Sequence, residues 1–367
     1  MNIFAMRYLL VLIVVFAGWS SFAQNITAFV DANNRLYKFD AGQVTQIYYQ
    51  PTEEIHIDNQ YVCFVDSKGD VYVDFYGQKE QVAQTHTAIY DTDNLLVVQT
   101  ASVLRAFDRG VKHLLTSQAL RVAVNDSIVV WQDNIGGYLK YYYNDEVHSI
   151  AMVVGDYPLE PQHVGPNTFV YQDNAGNRSV FWHGKFWPIF SSNQYTTMKA
   201  GQDVVAFNDP QTGTFAAFDN GYVVDVDQQH ALAFACGDNF IYYLDASETH
   251  MIFREEETME LGFDLQNVDV HDTVVVIREF GGANSTKLWY QMEIHQIFNT
   301  NVTNYQVDGG IVAYPNQWGG VSAWVRGKEL EITRTKVQSF ELHGNTILMK
   351  MGPSSYWVWW KGKIYEF

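Results

Sequence analysis

The feature that most constrains this chain is an aromatic residue recurring at near-constant spacing. The series is Phe39, Phe75, Phe107, Tyr143, Phe181, Phe218, Phe253, Trp289, Trp324 and Trp359, with intervals of 36, 32, 36, 38, 37, 35, 36, 35 and 35 residues. Ten units therefore fill residues 24–367 and leave no room for a second folded domain. In seven of them a glycine follows (Gly42, Gly77, Gly110, Gly184, Gly221, Gly327 and Gly362). A tight hairpin needs residues that accept positive φ, which is why glycine belongs there.

A second mark lies ten to twelve residues earlier: an aromatic, any residue, then Asp, ending at Asp31, Asp66, Asp133, Asp173, Asp209 and Asp245. Upstream of several of these sits a polar corner, as in Asp58-Asn59, Asn125-Asp126, Asp238-Asn239 and Gly344-Asn345. Short runs rich in Val, Phe and Tyr between such punctuation read as antiparallel strands. Each unit is thus four short strands. The first unit lacks its leading strand, and the last runs complete to Phe367. No segment shows sustained helical periodicity. Arg254 to Asp264, despite Glu255-Glu256-Glu257, falls where the repeat requires a turn and reads as a charged hairpin, and Gly281-Gly282-Ala283-Asn284 as a long one.

Tandem four-stranded units are the signature of an all-β propeller, because one small sheet cannot cover both its faces whereas stacked blades bury each other. Apolar neighbours such as Ile128-Val129-Val130-Trp131 suit strands buried on both faces. In the form VVWQD…G the repeats resemble the degenerate blades of TolB-like and WD40-like bacterial secreted propellers. The spacing is shorter than the roughly 40–45 residues of WD40 blades, and their Gly-His and Trp-Asp marks are absent. Ten blades fit either one large ring or two smaller rings in series, the natural joint being the interval holding Pro158, Pro161 and Pro166.

Residues 1–23 read as a signal peptide, with Arg7, the apolar run Leu9–Ala17 and the small-x-small site Ser21-Phe22-Ala23 before Gln24. The ending Phe-Ala-Gln resembles Bacteroidota signal peptides. The chain is therefore expected to be exported, periplasmic or at the cell surface, without membrane insertion. Removing the leader takes one basic group, leaving 22 Lys+Arg against 41 Asp+Glu, a formal charge of −19. Such a surface repels nucleic acid. Cys63 and Cys236, 173 residues apart, are expected to be separate buried thiols.

The recurring Asp of the aromatic-x-Asp mark could line a rim and bind cations. Asp at a hairpin corner more commonly bonds its own backbone, and the segment Asp66–Asp70 lacks the terminal Glu of a calcium loop. The Glu53–His56 and Glu160–His163 spacings would join ligands only on a helix, and neither segment reads as one. No nucleophile elbow, phosphate loop or Cys-x-x-Cys pair occurs. No catalytic residue, metal or cofactor is assigned. The binding candidates are two tryptophans off the repeat register, Trp318 in the turn Asn316–Gly320 and Trp187 in Lys185-Phe-Trp-Pro188. The expectation is a rigid binding platform for protein or surface glycan. The rivals are a carbohydrate-active hydrolase or lyase at the channel mouth and a subunit of an envelope complex. Converging His, Arg and paired carboxylates in the channel would favour the enzyme.

Overall fold

The computed structural model describes residues 25–367 apart from residues 59, 154–158, 193, 195, 280–284 and 299–301. The signal peptide, Asn59, Pro158 and the Gly281–Asn284 hairpin lie outside the described residues. Ten antiparallel sheets follow one another along the chain and close into one ring of ten blades. Blades 1 to 10 occupy residues 26–48, 52–83, 88–116, 119–152, 161–191, 198–227, 233–262, 265–298, 306–333 and 339–366.

Strands within a blade run in sequence order from the channel outwards, and their burial follows from that. Second strands are covered on both faces, so Tyr61–Asp66 and Ile128–Asp133 are buried at every position. Fourth strands form the outer wall, and Lys328–Thr333 exposes four successive residues. First strands face the channel and are half-exposed and polar.

The hairpin joining third and fourth strands sets the register. In all ten blades its two central residues have positive φ, the first of each pair being residue 41, 76, 109, 144, 183, 220, 255, 291, 326 or 361. Seven pairs end in the expected glycine. Asn144-Asp145, Glu255-Glu256 and Gln291-Met292 hold the same conformation without one. The Glu255-Glu256 pair confirms the charged hairpin, between strands His250–Arg254 and Glu257–Gly262.

Two residues before each turn, the third strand inserts one large side chain against the preceding blade. These are Phe39, Phe107, Tyr142, Phe181, Phe218, Phe253, Trp289, Trp324 and Trp359, all buried. The turns correct the sequence alignment at two units: the equivalent residues are Asp74 and Tyr142, not Phe75 and Tyr143. Side chains alternate across a strand, so a shift of one residue sends Phe75 to the opposite face, against Phe107 of blade 3. Asp74 meets Lys38 of blade 1 in a buried ion pair, each residue only 3% exposed.

Blades 1 and 10 close the ring. Phe29 and Phe39 pack on Leu348 and Val358, Trp360 Nε1 donates to Asn25 Oδ1 (2.8 Å), and Thr346 Oγ1 donates to the Ile26 carbonyl (3.2 Å). The alternative of two rings in series is thereby removed, and the proline-rich interval is not a joint. In blade 5 the described residues include no regular first strand. One turn of 3-10 helix, Pro161–His163, and a bridge between Val164 and Phe169 stand in its place. Glu160 is the extended N-cap of this three-residue turn, its N–H donating to Nδ1 of the buried His163 (3.2 Å). Cys63 in blade 2 and Cys236 in blade 7 are both free.

Candidate functional site at the acidic channel mouth

In an antiparallel blade the corner between first and second strands lies on the same face of the ring as the third-to-fourth hairpin. The aromatic-x-Asp turns lie on the other face. Those turns are used up structurally. The carboxylates of Asp31, Asp66, Asp173 and Asp245 each accept two backbone N–H groups two and four residues ahead, at 2.8–3.0 Å. Asp209 accepts from Gln211 N (2.7 Å). Asp133 differs, accepting from Trp131 Nε1 and Thr116 Oγ1 (2.9 Å each) beside Lys140 Nζ at 2.5 Å. The other five hold the backbone-bonding role expected from the sequence.

The corners on the other face do something else. Those of blades 3 to 9 converge on one cavity of about 280 Å³, lined among others by Asp93, Asp126, Gln202, Asp238 and Asp272. Backbone links between blades hold them together. Gln202 N and Asp203 N donate to the Asp238 carbonyl (2.9 and 3.1 Å), and Asp238 N donates to the Asp272 carbonyl (2.6 Å). Thr92 Oγ1 donates to the Asp126 carbonyl (3.0 Å), and Asn94 Nδ2 bonds both oxygens of the Asp126 carboxylate (2.8 and 2.9 Å). Asp308 Oδ2 accepts from Gly344 N of blade 10 (2.6 Å).

Surrounding protein strips water from these carboxyls, and they repel one another across the narrow mouth. Asp93 is pushed up to about 7, by burial first and then by Asp308, Asp126 and Asp272. Asp238 is pushed up to about 7, by burial first and then by Asp272, Asp126, Asp93 and Asp203. Burial also raises Asp126, Asp272 and Asp308. A raised carboxyl holds more protons folded than unfolded, so its contribution to stability falls as pH climbs from about 4 through 7. We therefore expect the melting temperature to drop on going from pH 5.5 to pH 8. The Asp93→Asn/Asp238→Asn double variant should flatten that slope; an unchanged slope would show that other groups set it.

The structure does not bring the two tryptophans together. Trp318 lies in blade 9 on the face opposite the acidic mouth, 47% exposed. Asn316 Oδ1 accepts from Trp318 N (3.1 Å) and Gly320 N (2.9 Å), and the Arg334 guanidinium stands 4.4 Å from the indole centroid. Trp187 lies in the outer strand Lys185–Ser191 of blade 5, half-buried against Trp182 and Phe218, with Nε1 buried and unpaired. Gly221, in the turn beside it, has φ +93°, and an added Cβ would stand 3.2 Å from Trp182. Gly221→Val should lower stability by about 2 kcal/mol through turn strain, and Trp318→Ala by less than about 1 kcal/mol. Equal losses in thermal melts would contradict the assigned turn.

A second polar group lies on the channel wall between blades 2 and 3. His56 Nδ1 is 3.2 Å from Asp91 and its Nε2 3.4 Å from Glu54, which His86 also approaches (3.5 Å). Hydrogen bonding to Asp91 leads the rise in the affinity of His56 for its proton. An imidazolium clasped by two carboxylates is an ion pair, poorly placed to act as a base. Among the described residues no group of three or more His, Cys, Asp or Glu has metal-binding geometry.

Sequence reasoning marked two of these corners, at Asp126 and Asp238, but used them only as register marks. It missed Asp93, Asp272 and Asp308. The available signal was an acid recurring at one phase of the 35-residue period, at 58, 93, 126, 238, 272 and 308.

One closed ring of antiparallel blades, with corner loops gathered around a central mouth, defines a β-propeller. The chain belongs to the 10-bladed β-propeller domain family, whose model matches residues 20–365. No curated protein matches. Similar solved structures include the computationally designed Ika8 protein, at 13% identity and TM-score 0.37, covering 92% of this chain and 99% of that one. PorZ, a surface component of the type-IX secretion system of Porphyromonas gingivalis, aligns at 9% identity and TM-score 0.26, over 94% of this chain and 59% of its own. The CRINKLY WD40 ectodomain of the Arabidopsis thaliana receptor kinase ACR4 aligns at 10% and 0.36, over 65% and 96%. No helix among the described residues is long and apolar enough to cross a membrane.

Proposed function

We propose that this chain is an exported, rigid ring that binds a protein partner through a basic segment at its acidic channel mouth. The observation that carries the reading is the convergence of Asp93, Asp126, Asp238, Asp272 and Asp308 from five blades, with carboxyls raised by burial and mutual repulsion. A Lys or Arg entering the mouth relieves that repulsion, and the acidic chain as a whole steers such a partner inwards. The mouth is a preformed feature of a closed ring, so little ordering cost attends binding.

The test is capture with the chain beginning at Gln24, from the envelope of its host, at low and high salt. A stoichiometric partner released by salt, and lost by an Asp93→Asn/Asp238→Asn/Asp272→Asn variant that still melts cooperatively, is the expected result. A partner indifferent to both changes would place binding elsewhere, the Trp318 face being the next surface to map. Recovery of the chain alone, with retention on a carbohydrate array, would replace a protein partner by a glycan.

A further inference from the structure

At two seams the last residue of a third strand donates a hydrogen bond to the next blade. Between blades 5 and 6, Trp182 Nε1 donates to Asp203 Oδ1 (2.8 Å), and between blades 10 and 1, Trp360 Nε1 donates to Asn25 Oδ1 (2.8 Å). At the seam between blades 7 and 8 the strand ends in Arg254. The corner residue there is Thr273: His271 N donates to the Val274 carbonyl as Gly201 N does to that of Val204, which places Thr273 where blade 6 has Asp203. Arg254 Nη2 turns to Glu255 in its own hairpin (3.1 Å), and its Nε is buried without a partner.

A second donor lies across the same seam. Trp289 of blade 8 is 1% exposed, and its Nε1 is also buried without a partner. Blades 5, 6 and 7 fill this position with Phe181, Phe218 and Phe253, so packing does not call for an indole N–H. A buried donor left unbonded is costly, and two at one seam call for an acceptor.

Both residues line a cavity of about 180 Å³ on the face of the acidic mouth. Asp238 and Phe240 of blade 7 and Asp272 and Thr273 of blade 8 also line it. The Phe240 and Trp289 rings pack with centroids 4.6 Å apart. This lining selects against charge of either sign. An anion would meet Asp238 and Asp272, and a cation would meet the Arg254 guanidinium. A neutral molecule rich in hydroxyls suits both, because each hydroxyl accepts from one neighbour and donates to another. Its C–H groups suit the aromatic rings. The cavity is smaller than the roughly 300–1,000 Å³ of sites for drug-sized ligands, which limits it to one small ring.

We propose that the seam between blades 7 and 8 is a subsite for one neutral sugar ring, the end residue of a glycan. Arg254 Nε and Trp289 Nε1 donate to its oxygens, and Asp238 and Asp272 accept from its hydroxyls. The inference does not depend on the protein-partner reading above, although Asp238 and Asp272 line both the mouth and this cavity.

The experiment is saturation-transfer NMR on the intact chain with the methyl glycosides of mannose, galactose, glucose, fucose and N-acetylglucosamine, followed by titration of the best of them. The expected result is saturable binding of at least one. Trp289→Phe keeps a ring that neighbouring seams already accommodate and removes the N–H; it should weaken binding about tenfold. Arg254→Trp/Thr273→Asp installs at this seam the bond that Trp182 makes to Asp203. It should abolish binding while the variant still melts cooperatively. Asp93→Asn, at the mouth but outside this cavity, should leave binding unchanged. Loss of binding in Asp93→Asn with none in Trp289→Phe would assign the sugar to the mouth and overturn the inference. So would a panel in which no glycoside receives saturation, or binding that both seam variants leave intact. None of these outcomes decides whether a salt-released protein partner exists.

Discussion

Gly201→Ala should destabilise the ring by about 3 kcal/mol or more, a large loss for one methyl group. Gly165, Gly201 and Gly237 recur every 36 residues, immediately before the corners of blades 5, 6 and 7. None has the left-handed backbone that usually explains a glycine; the requirement is space. A Cβ on Gly165 would lie 1.9 Å from the Gly201 carbonyl oxygen, and one on Gly201 would lie 2.0 Å from that of Gly237. One on Gly237 would meet the Phe240 ring at 2.2 Å and the Asp272 carbonyl oxygen at 2.7 Å. Backbone atoms cannot rotate aside, so adjacent blades would have to part and the inter-blade hydrogen bonds of Asp203 and Asp238 would lengthen. The comparison is Gly327→Ala, where φ is +92° but the space is open. Strain alone should cost about 1 kcal/mol there. The measurement is chemical denaturation of both variants; a smaller loss at Gly201 than at Gly327 would refute the close packing. Because this contact seats the corners, Gly201→Ala should also flatten the pH dependence assigned to Asp93 and Asp238.

The second large effect is expected at the Lys38–Asp74 pair. Eight of the nine other third strands carry Phe or Trp at this position and one carries Tyr, each buried against the preceding blade. Blade 2 carries a carboxylate there, and blade 1 answers with a lysine on the strand Leu36–Asp40. Two ions this deep lose their hydration and regain it only through each other. Asp74→Ala should therefore cost about 3–5 kcal/mol, because it strands a buried ammonium. The Lys38→Met/Asp74→Leu double variant should recover most of that loss, since a packed apolar pair is what the other seams use. A double-mutant cycle in urea measures the coupling. Additive losses would show that the two groups act independently.

The blade count was legible because the period is a property of the chain. Each hairpin and each buried aromatic is local, and ten hairpins and nine aromatics recur about every 35 residues. The tight turns were legible wherever glycine marks them, and the aromatic-x-Asp carboxylates because they bond backbone only two and four residues away. The one-residue errors at Phe75 and Tyr143 arose where aromatics occupy adjacent positions, or where an acid has replaced the aromatic. Alternation alone cannot choose between neighbours there until the turn fixes the face.

The sequence by itself thus determined the strand pattern and the number of blades, both carried by interactions between residues close in the chain. Only the tertiary structure decided that ten blades close one ring. That outcome depends on the angle between successive sheets, and on Phe29 and Phe39 meeting Leu348 and Val358 across more than 300 residues. It also decided that acids from five distant corners share one mouth, and that Lys38 faces Asp74. Contacts across the ring leave no local mark, because the residues that make them are brought together only when the first blade meets the last.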